Sequence, residues 1–153
     1  MIFMKEVIDI MRVLHHHELY ASSRIIRLVM AERGIVCLPK SERPWDRVEE
    51  FLRLNPAGDV PVLMTADGEA ICGASVIAEY LEETEEKAPL IWGSASERAE
   101  IRRLTDWFEG KFMREVGAPL LNERFIKRFV DEGQPSSVVI RAAMTNLHIH
   151  LDY

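Results

Sequence analysis

The sequence predicts an α/β unit followed by an all-helical one, and three observations point there. Short β-branched runs alternate with helix-period runs between Arg12 and Glu86. An Asp67-Gly68 pair sits between two apolar runs. From Ser96 onward, apolar residues recur at three- and four-residue steps.

The elements follow in order. "RVLHH", Arg12 to His16, is a short apolar and β-branched run and reads as a strand. "ASSRIIRLVMAERGI" reads as a helix, with Ile25, Ile26, Leu28 and Val29 inward and Arg24, Arg27, Glu32 and Arg33 toward solvent. Ser22 or Ser23 is placed to cap its start and Gly34 to stop it. "IVCL" reads as a second strand ended by Pro39, and "WDRVEEFLRLNP" as a shorter helix closed by Asn55-Pro56. "VPVLMTADGEAICG" is a hairpin about Asp67-Gly68. "ASVIAEYLEETEE" is a helix with Val76, Ile77, Tyr80 and Leu81 inward. "EEKAPLIWGSAS" reads as a linker. A helix then carries Ile101, Leu104, Trp107, Phe108 and Phe112 on one face. After "GQPSS", Pro135 and Ser136 start a last helix that runs to Tyr153.

Composition bounds the function. The 153 residues are 48% hydrophobic and 29% charged, enough for a packed core. Lys and Arg number 19 against 25 Asp and Glu, a net charge of −6, which disfavours general nucleic-acid binding and attachment to an anionic membrane. No apolar run reaches the ~20 residues needed to span a bilayer. Glu6 and Asp9 interrupt the opening "MIFMKEVIDI", which argues against a signal peptide. Cys37 and Cys72 then read as free thiols of a cytoplasmic protein, on strands too far apart for a disulfide. His15 and His16 alternate between faces of the predicted strand, so His15, His16 and His17 cannot converge on one metal, and no metal site is expected.

"NPAGDVPVL", Asn55 to Leu63, resembles the N-P-x-G-x-V-P-x-L signature of glutathione S-transferases. "IAEYLEE" and "SSRIIRLVMAERGI" resemble that family's helices, in the same order and spacing. The resemblance implies a thioredoxin-like domain of βαβαββα order over residues 11–86, after a 1–10 extension. A linker at 87–95 and a truncated all-helical domain at 96–153 follow. It also implies a cis Val60-Pro61 bond that offers the Val60 backbone to glutathione. Family members have five or more helices in the second domain. Ending after about two would leave Trp107, Phe108 and Leu147 uncovered and favour a homodimer or another partner.

Two departures bear on function. The family's Glu-Ser pair, which grips the γ-glutamyl end of glutathione, is Gly73-Ala74 here, leaving the Ala74 N–H as the remaining anion donor. A one-residue slip would give the serine role to Ser75 instead. Losing one charge-assisted hydrogen bond weakens binding by roughly tenfold to a hundredfold. At the catalytic corner the sequence reads Tyr20-Ala21-Ser22-Ser23-Arg24. Ser23 and Tyr20 are the candidates to stabilise a glutathione thiolate; the alternative is that Ser23 caps the helix and Tyr20 is a loop aromatic. "HHHELYASSRIIRLVMAERG", "ICGASVIAEYLEE" and the segment from Glu97 to Phe129 followed by "GQPSS" resemble the FtsZ-localised, glutathione-transferase-like division proteins of alphaproteobacteria. That resemblance implies a non-catalytic, dimeric binding scaffold on FtsZ filaments with weak or no use of glutathione. The alternative is a glutathione S-transferase acting on electrophiles.

Overall fold

The computed structural model describes residues 12–153. The extension assigned to residues 1–10 lies outside the described residues. The chain divides into two compact units, with the boundary between Ala88 and Pro89.

The first unit is built on a four-stranded sheet of order β2-β1-β3-β4. Its strands are β1 Val13–His16, β2 Leu38–Ser41, β3 Val62–Met64 and β4 Ala70–Cys72. β1 and β2 run parallel and are joined through helix α1, Ala21–Glu32. The pairs β1/β3 and β3/β4 are antiparallel, and β3/β4 is the hairpin turned at Gly68 (φ 83°). Helix α2, Glu49–Leu54, precedes β3, and α3, Ala74–Thr84, follows β4.

Alternation along the strands gives two cores. Leu14 and Leu63 are register partners on one face and pack with Ile26 and Met30 of α1 and Ala74, Ile77 and Leu81 of α3. Val62, one residue away, turns to the other face and packs with Phe51 and Val60. Each large aliphatic side chain so buried contributes about 1.5–3 kcal/mol.

Several expectations are corrected. The inward face of α1 runs through Ser23, Ile26 and Met30, whereas Leu28 is 62% exposed. Arg33, expected in solvent, is buried just past the helix end. Its Nη1 donates to Glu82 Oε1 at 3.0 Å and its Nη2 to the Glu85 carbonyl at 3.2 Å. Ser23 and Arg33 lie on the buried side with partners for the Ser23 hydroxyl and for Arg33 Nη1 and Nη2, although Arg33 Nε has none among the described residues, and this tilts the face away from the apolar count. Val76 is likewise exposed on α3. The second strand begins at Leu38 and contains Pro39. Its residues are exposed at a sheet edge, where a missing N–H is tolerated, so the more apolar Ile35 and Cys37 pack into the core just ahead of it. The expected helix over 45–56 is interrupted at Arg47, whose φ is 45°, leaving a 3₁₀ turn at Pro44–Asp46 and the short α2.

The second unit begins with α4, Ala95–Asp106. A capping box at Ser94 starts it: Ser94 Oγ accepts from Glu97 N–H, and Glu97 accepts from Ser94 N–H. The helix continues without a break through π-type turns at Trp107–Gly117, α5 Ala118–Leu121, further π-type turns at Asn122–Ile126 and α6 Lys127–Phe129. At Gly117 an added Cβ would sit 2.5 Å from Met113 Sδ, so the flexible end of Met113 would have to move. Helix α7, Ser137–Leu151, is capped by the Ser136 hydroxyl.

Sequence alone gives His148 and His150 as ordinary positions on the last helix; the structure corrects this for His150. His150 is 3% exposed. Its Nδ1 accepts from Trp107 Nε1 at 3.0 Å, and its Nε2 lies 3.0 Å from Glu115 Oε2. An indole N–H only donates, so Nδ1 carries no proton and Nε2–H points at the carboxylate. Tyr153 stacks on Trp107 with ring centroids 4.4 Å apart.

Candidate functional site

The residues singled out from the sequence converge on one corner of the first unit, where α1 starts, the loop before β3 arrives and α3 begins. Asn55 shapes that loop. Its Nδ2 donates to the Asp59 carbonyl at 2.8 Å and its Oδ1 accepts from Ala57 N–H at 3.2 Å. Gly58, at φ 75°, closes the turn by donating to the Asn55 carbonyl. The loop thereby delivers Val60-Pro61, whose peptide bond is cis. Pro61 is buried and its carbonyl accepts from Gly73 N–H at 3.1 Å, which ties the loop to the start of α3.

The hydroxyls at the corner are engaged by the protein itself. Ser22 Oγ donates to the Val60 carbonyl at 3.0 Å. Ser23 is fully buried, and its Oγ accepts from His17 N–H at 3.3 Å. Neither caps α1; Tyr20 occupies the cap position without a side-chain bond. Tyr20 packs on the Phe51, Val60 and Val62 cluster and meets the His17 ring edge-on. Burial, and secondarily the negative charge of Asp59, push its pKa upward, so the phenol is a proton donor at neutral pH. His17 also packs edge-on to Trp45, at 4.9 Å between ring centroids, and its Nδ1 accepts from Leu19 N–H.

The γ-glutamyl side is bare. Gly73 caps α3 at φ 93° and ψ 145°, a conformation that favours glycine, and no side chain caps the helix. A Cβ at Gly73 would meet nothing within 4 Å, so a side chain there would start into open space. Ala74 is buried in the core, and its N–H belongs to the unfilled first turn of α3. Ser75 is exposed and lines a shallow groove with Ile71, Val76, Glu79, Tyr80 and Glu83.

No charge-ready thiol serves the corner. Cys72, on β4, and Cys37 are both free, and burial raises both pKa values, with Arg12 partly opposing it at Cys37. The three histidines diverge. His15 is buried with Nδ1 2.7 Å from Glu42 Oε1, while His16 is buried with Nδ1 unpartnered. His16's pKa is lowered, chiefly by burial; nearby Arg27 and His17 add to this and Glu18 opposes it. Among the described residues no group of three or more His, Cys, Asp or Glu side chains is placed to hold a metal ion.

Comparison with known proteins agrees with this geometry. Residues 21–84 match the glutathione S-transferase N-terminal domain family. FtsZ-localized protein A of Caulobacter vibrioides (strain NA1000 / CB15N) is 39% identical over 145 residues, covering 93% of this chain and 64% of that protein. A solved glutathione S-transferase from Rhodospirillum rubrum F11 is 45% identical with a TM-score of 0.89, covering 94% of this chain and 64% of that one. Solved FzlA from C. crescentus is 38% identical with a TM-score of 0.89, covering 94% and 65%. The chain spans just under two thirds of the length of these relatives. Residues 21–84 thus belong to the glutathione S-transferase N-terminal domain family, and the thioredoxin-like first unit and helical second unit together have the fold of glutathione S-transferase superfamily proteins.

Proposed function

We propose that this chain is a protein-binding member of the superfamily whose glutathione corner no longer grips its ligand, and that it acts on FtsZ in cell division. The Ser22–Val60 hydrogen bond carries the reading. The backbone carbonyl that would receive the ligand's cysteinyl amide has one of its two acceptor positions taken by an internal donor, so a ligand would share or displace that bond. Ser23 is turned inward, and Gly73-Ala74 supplies no side chain to the γ-glutamyl end. The partner is argued from similarity to FtsZ-localized protein A across 93% of the chain. The same reading makes it a cytoplasmic homodimer. Among the described residues no helix is long and apolar enough to cross a membrane.

Co-sedimentation with polymerised FtsZ tests the partner: enrichment in the pellet is the expected result, and an unenriched pellet removes it. Calorimetric titration with glutathione tests the corner separately, with no heat of binding expected at micromolar ligand.

A second reading has one observation in its favour. The protonated Tyr20 phenol belongs to a side chain packed against Val60, a donor able to stabilise a thiolate. On that reading the chain conjugates glutathione to electrophiles. Turnover at millimolar glutathione that is lost in Tyr20→Phe would establish it.

A further inference from the structure

The helical unit carries a second feature, unrelated to the glutathione corner. A groove of about 340 Å³ is lined by Arg124, Phe125, Arg128, Pro135 and Ile140. Arg124, Phe125 and Arg128 come from the end of the long helical run, and Pro135 and Ile140 from the entry and first turns of α7. One hydrogen bond, from Ser136 N–H to Glu123, ties the two walls together. Glu123, buried, accepts from Lys127 Nζ at 2.8 Å and from Ser136 N–H at 2.7 Å. The groove therefore exists before any partner arrives, which lowers the ordering cost of binding.

Its chemistry is specific. Arg124 and Arg128 stand four residues apart on one helix face and are both exposed. Neither has an ion-pair partner among the described residues, whereas Lys127 between them is neutralised by Glu123. Phe125 is 44% exposed and lies in the groove with Pro135 and Ile140. On a chain of net charge −6, this is a local reversal of sign over an apolar floor.

We propose that this groove docks an acidic peptide segment of a partner protein. Its carboxylates would pair with Arg124 and Arg128, and an apolar side chain between them would rest on Phe125, Pro135 and Ile140. Guanidinium groups bind carboxylates through paired N–H donors, which gives direction as well as charge. A membrane fits less well. Lipid-binding segments concentrate about 4–8 cations, and the net negative charge opposes approach to an anionic surface.

The test begins with a phage library of random dodecapeptides selected on the full chain, with counter-selection on Arg124→Glu/Arg128→Glu. Enriched sequences are expected to carry Asp or Glu on both sides of an apolar residue. The leading peptide, followed by fluorescence polarisation, is expected to lose at least about tenfold in affinity in the charge-reversed variant. It is also expected to weaken as salt rises. Phe125→Ala should weaken it several-fold while keeping the salt dependence. If circular dichroism shows that a variant has unfolded, the unaltered chain decides the matter: amide shifts of residues 124–128 and 140 must move when the peptide is added. Enrichment without acidic residues, undiminished binding to the charge-reversed variant, or shifts confined elsewhere would overturn the proposal. So would binding to phosphatidylserine vesicles through the same arginines with no peptide enriched.

Discussion

The glutathione corner and the groove on the helical unit are opposites. The corner has the family's backbone, down to the cis Val60-Pro61 bond, yet the hydroxyls of Ser22 and Ser23 are bonded within the fold. The groove lies in the stretch that resembles the FtsZ-localised proteins and carries no ligand-binding motif, yet it presents two arginines with no ion-pair partner among the described residues. A motif identifies a scaffold; the polar groups left uncommitted by that scaffold identify where it can still bind. The same contrast holds in the interior, where His150 is satisfied at both ring nitrogens and His16 is left with one bare.

The strongest way to test this contrast is to remove the satisfied histidine. His150→Ala deletes a buried ring and two hydrogen bonds, and is expected to lower stability by about 3–5 kcal/mol in urea denaturation. A loss under about 1 kcal/mol would mean that the Trp107–His150–Glu115 network is incidental. At the corner, Asn55→Ala leaves the Asp59 carbonyl and the Ala57 N–H without their partner. A loss of about 1–3 kcal/mol is expected by the same measurement.

Restoring the missing grip sharpens the other side. Gly73→Glu with Ala74→Ser is expected to strengthen glutathione binding by about tenfold to a hundredfold in calorimetry. The φ of 93° at Gly73 will cost the variant about 1–3 kcal/mol of stability. Unchanged binding would show that the corner is closed for a reason other than the lost pair.

The pH dependence follows from His16. Its folded pKa lies below the ordinary 6.5, so between those two values the unfolded chain binds more protons than the folded one. Stability is therefore expected to fall as pH drops below about 6.5, and to level off once pH passes the folded value. In His16→Gln that component of the slope should vanish. The smallest effect expected is from Ser22→Ala. It frees the Val60 carbonyl and should raise glutathione affinity only a few-fold, since one neutral hydrogen bond is worth about 0.5–1.5 kcal/mol.

Much of the fold was legible because it rests on period and punctuation. The Asp67-Gly68 hairpin, the helix before Gly34 and the "NPAGDVPVL" loop each have a local cause. What misled were buried polar residues. Arg33 and His150 have interior positions because distant groups take up their polar atoms: Glu82 and the Glu85 carbonyl bond the two terminal nitrogens of Arg33, leaving its Nε without a partner among the described residues, and Trp107 with Glu115 engage both ring nitrogens of His150. Apolar counting cannot see such partners, so it placed Leu28 and Val76 inside when both are exposed. At the corner, the sequence located the right residues but not their orientation. Whether Ser22 or Ser23 faces Val60 depends on the rotation of α1, which goes with the burial of Ile26 and Met30 in the core. One signal was available and missed: "SASE" at Ser94 to Glu97 is a capping box.

Glu123 has a mechanical consequence. One carboxylate holds both the amine of Lys127 and the first backbone N–H of the Ser136 cap, so it bridges the turn rather than either helix alone. A protease that severs the backbone between Asp131 and Gln134 would break the covalent path but not this clasp. The two ends of a nicked unit would still be linked by this one charge-assisted hydrogen bond to Ser136 N–H.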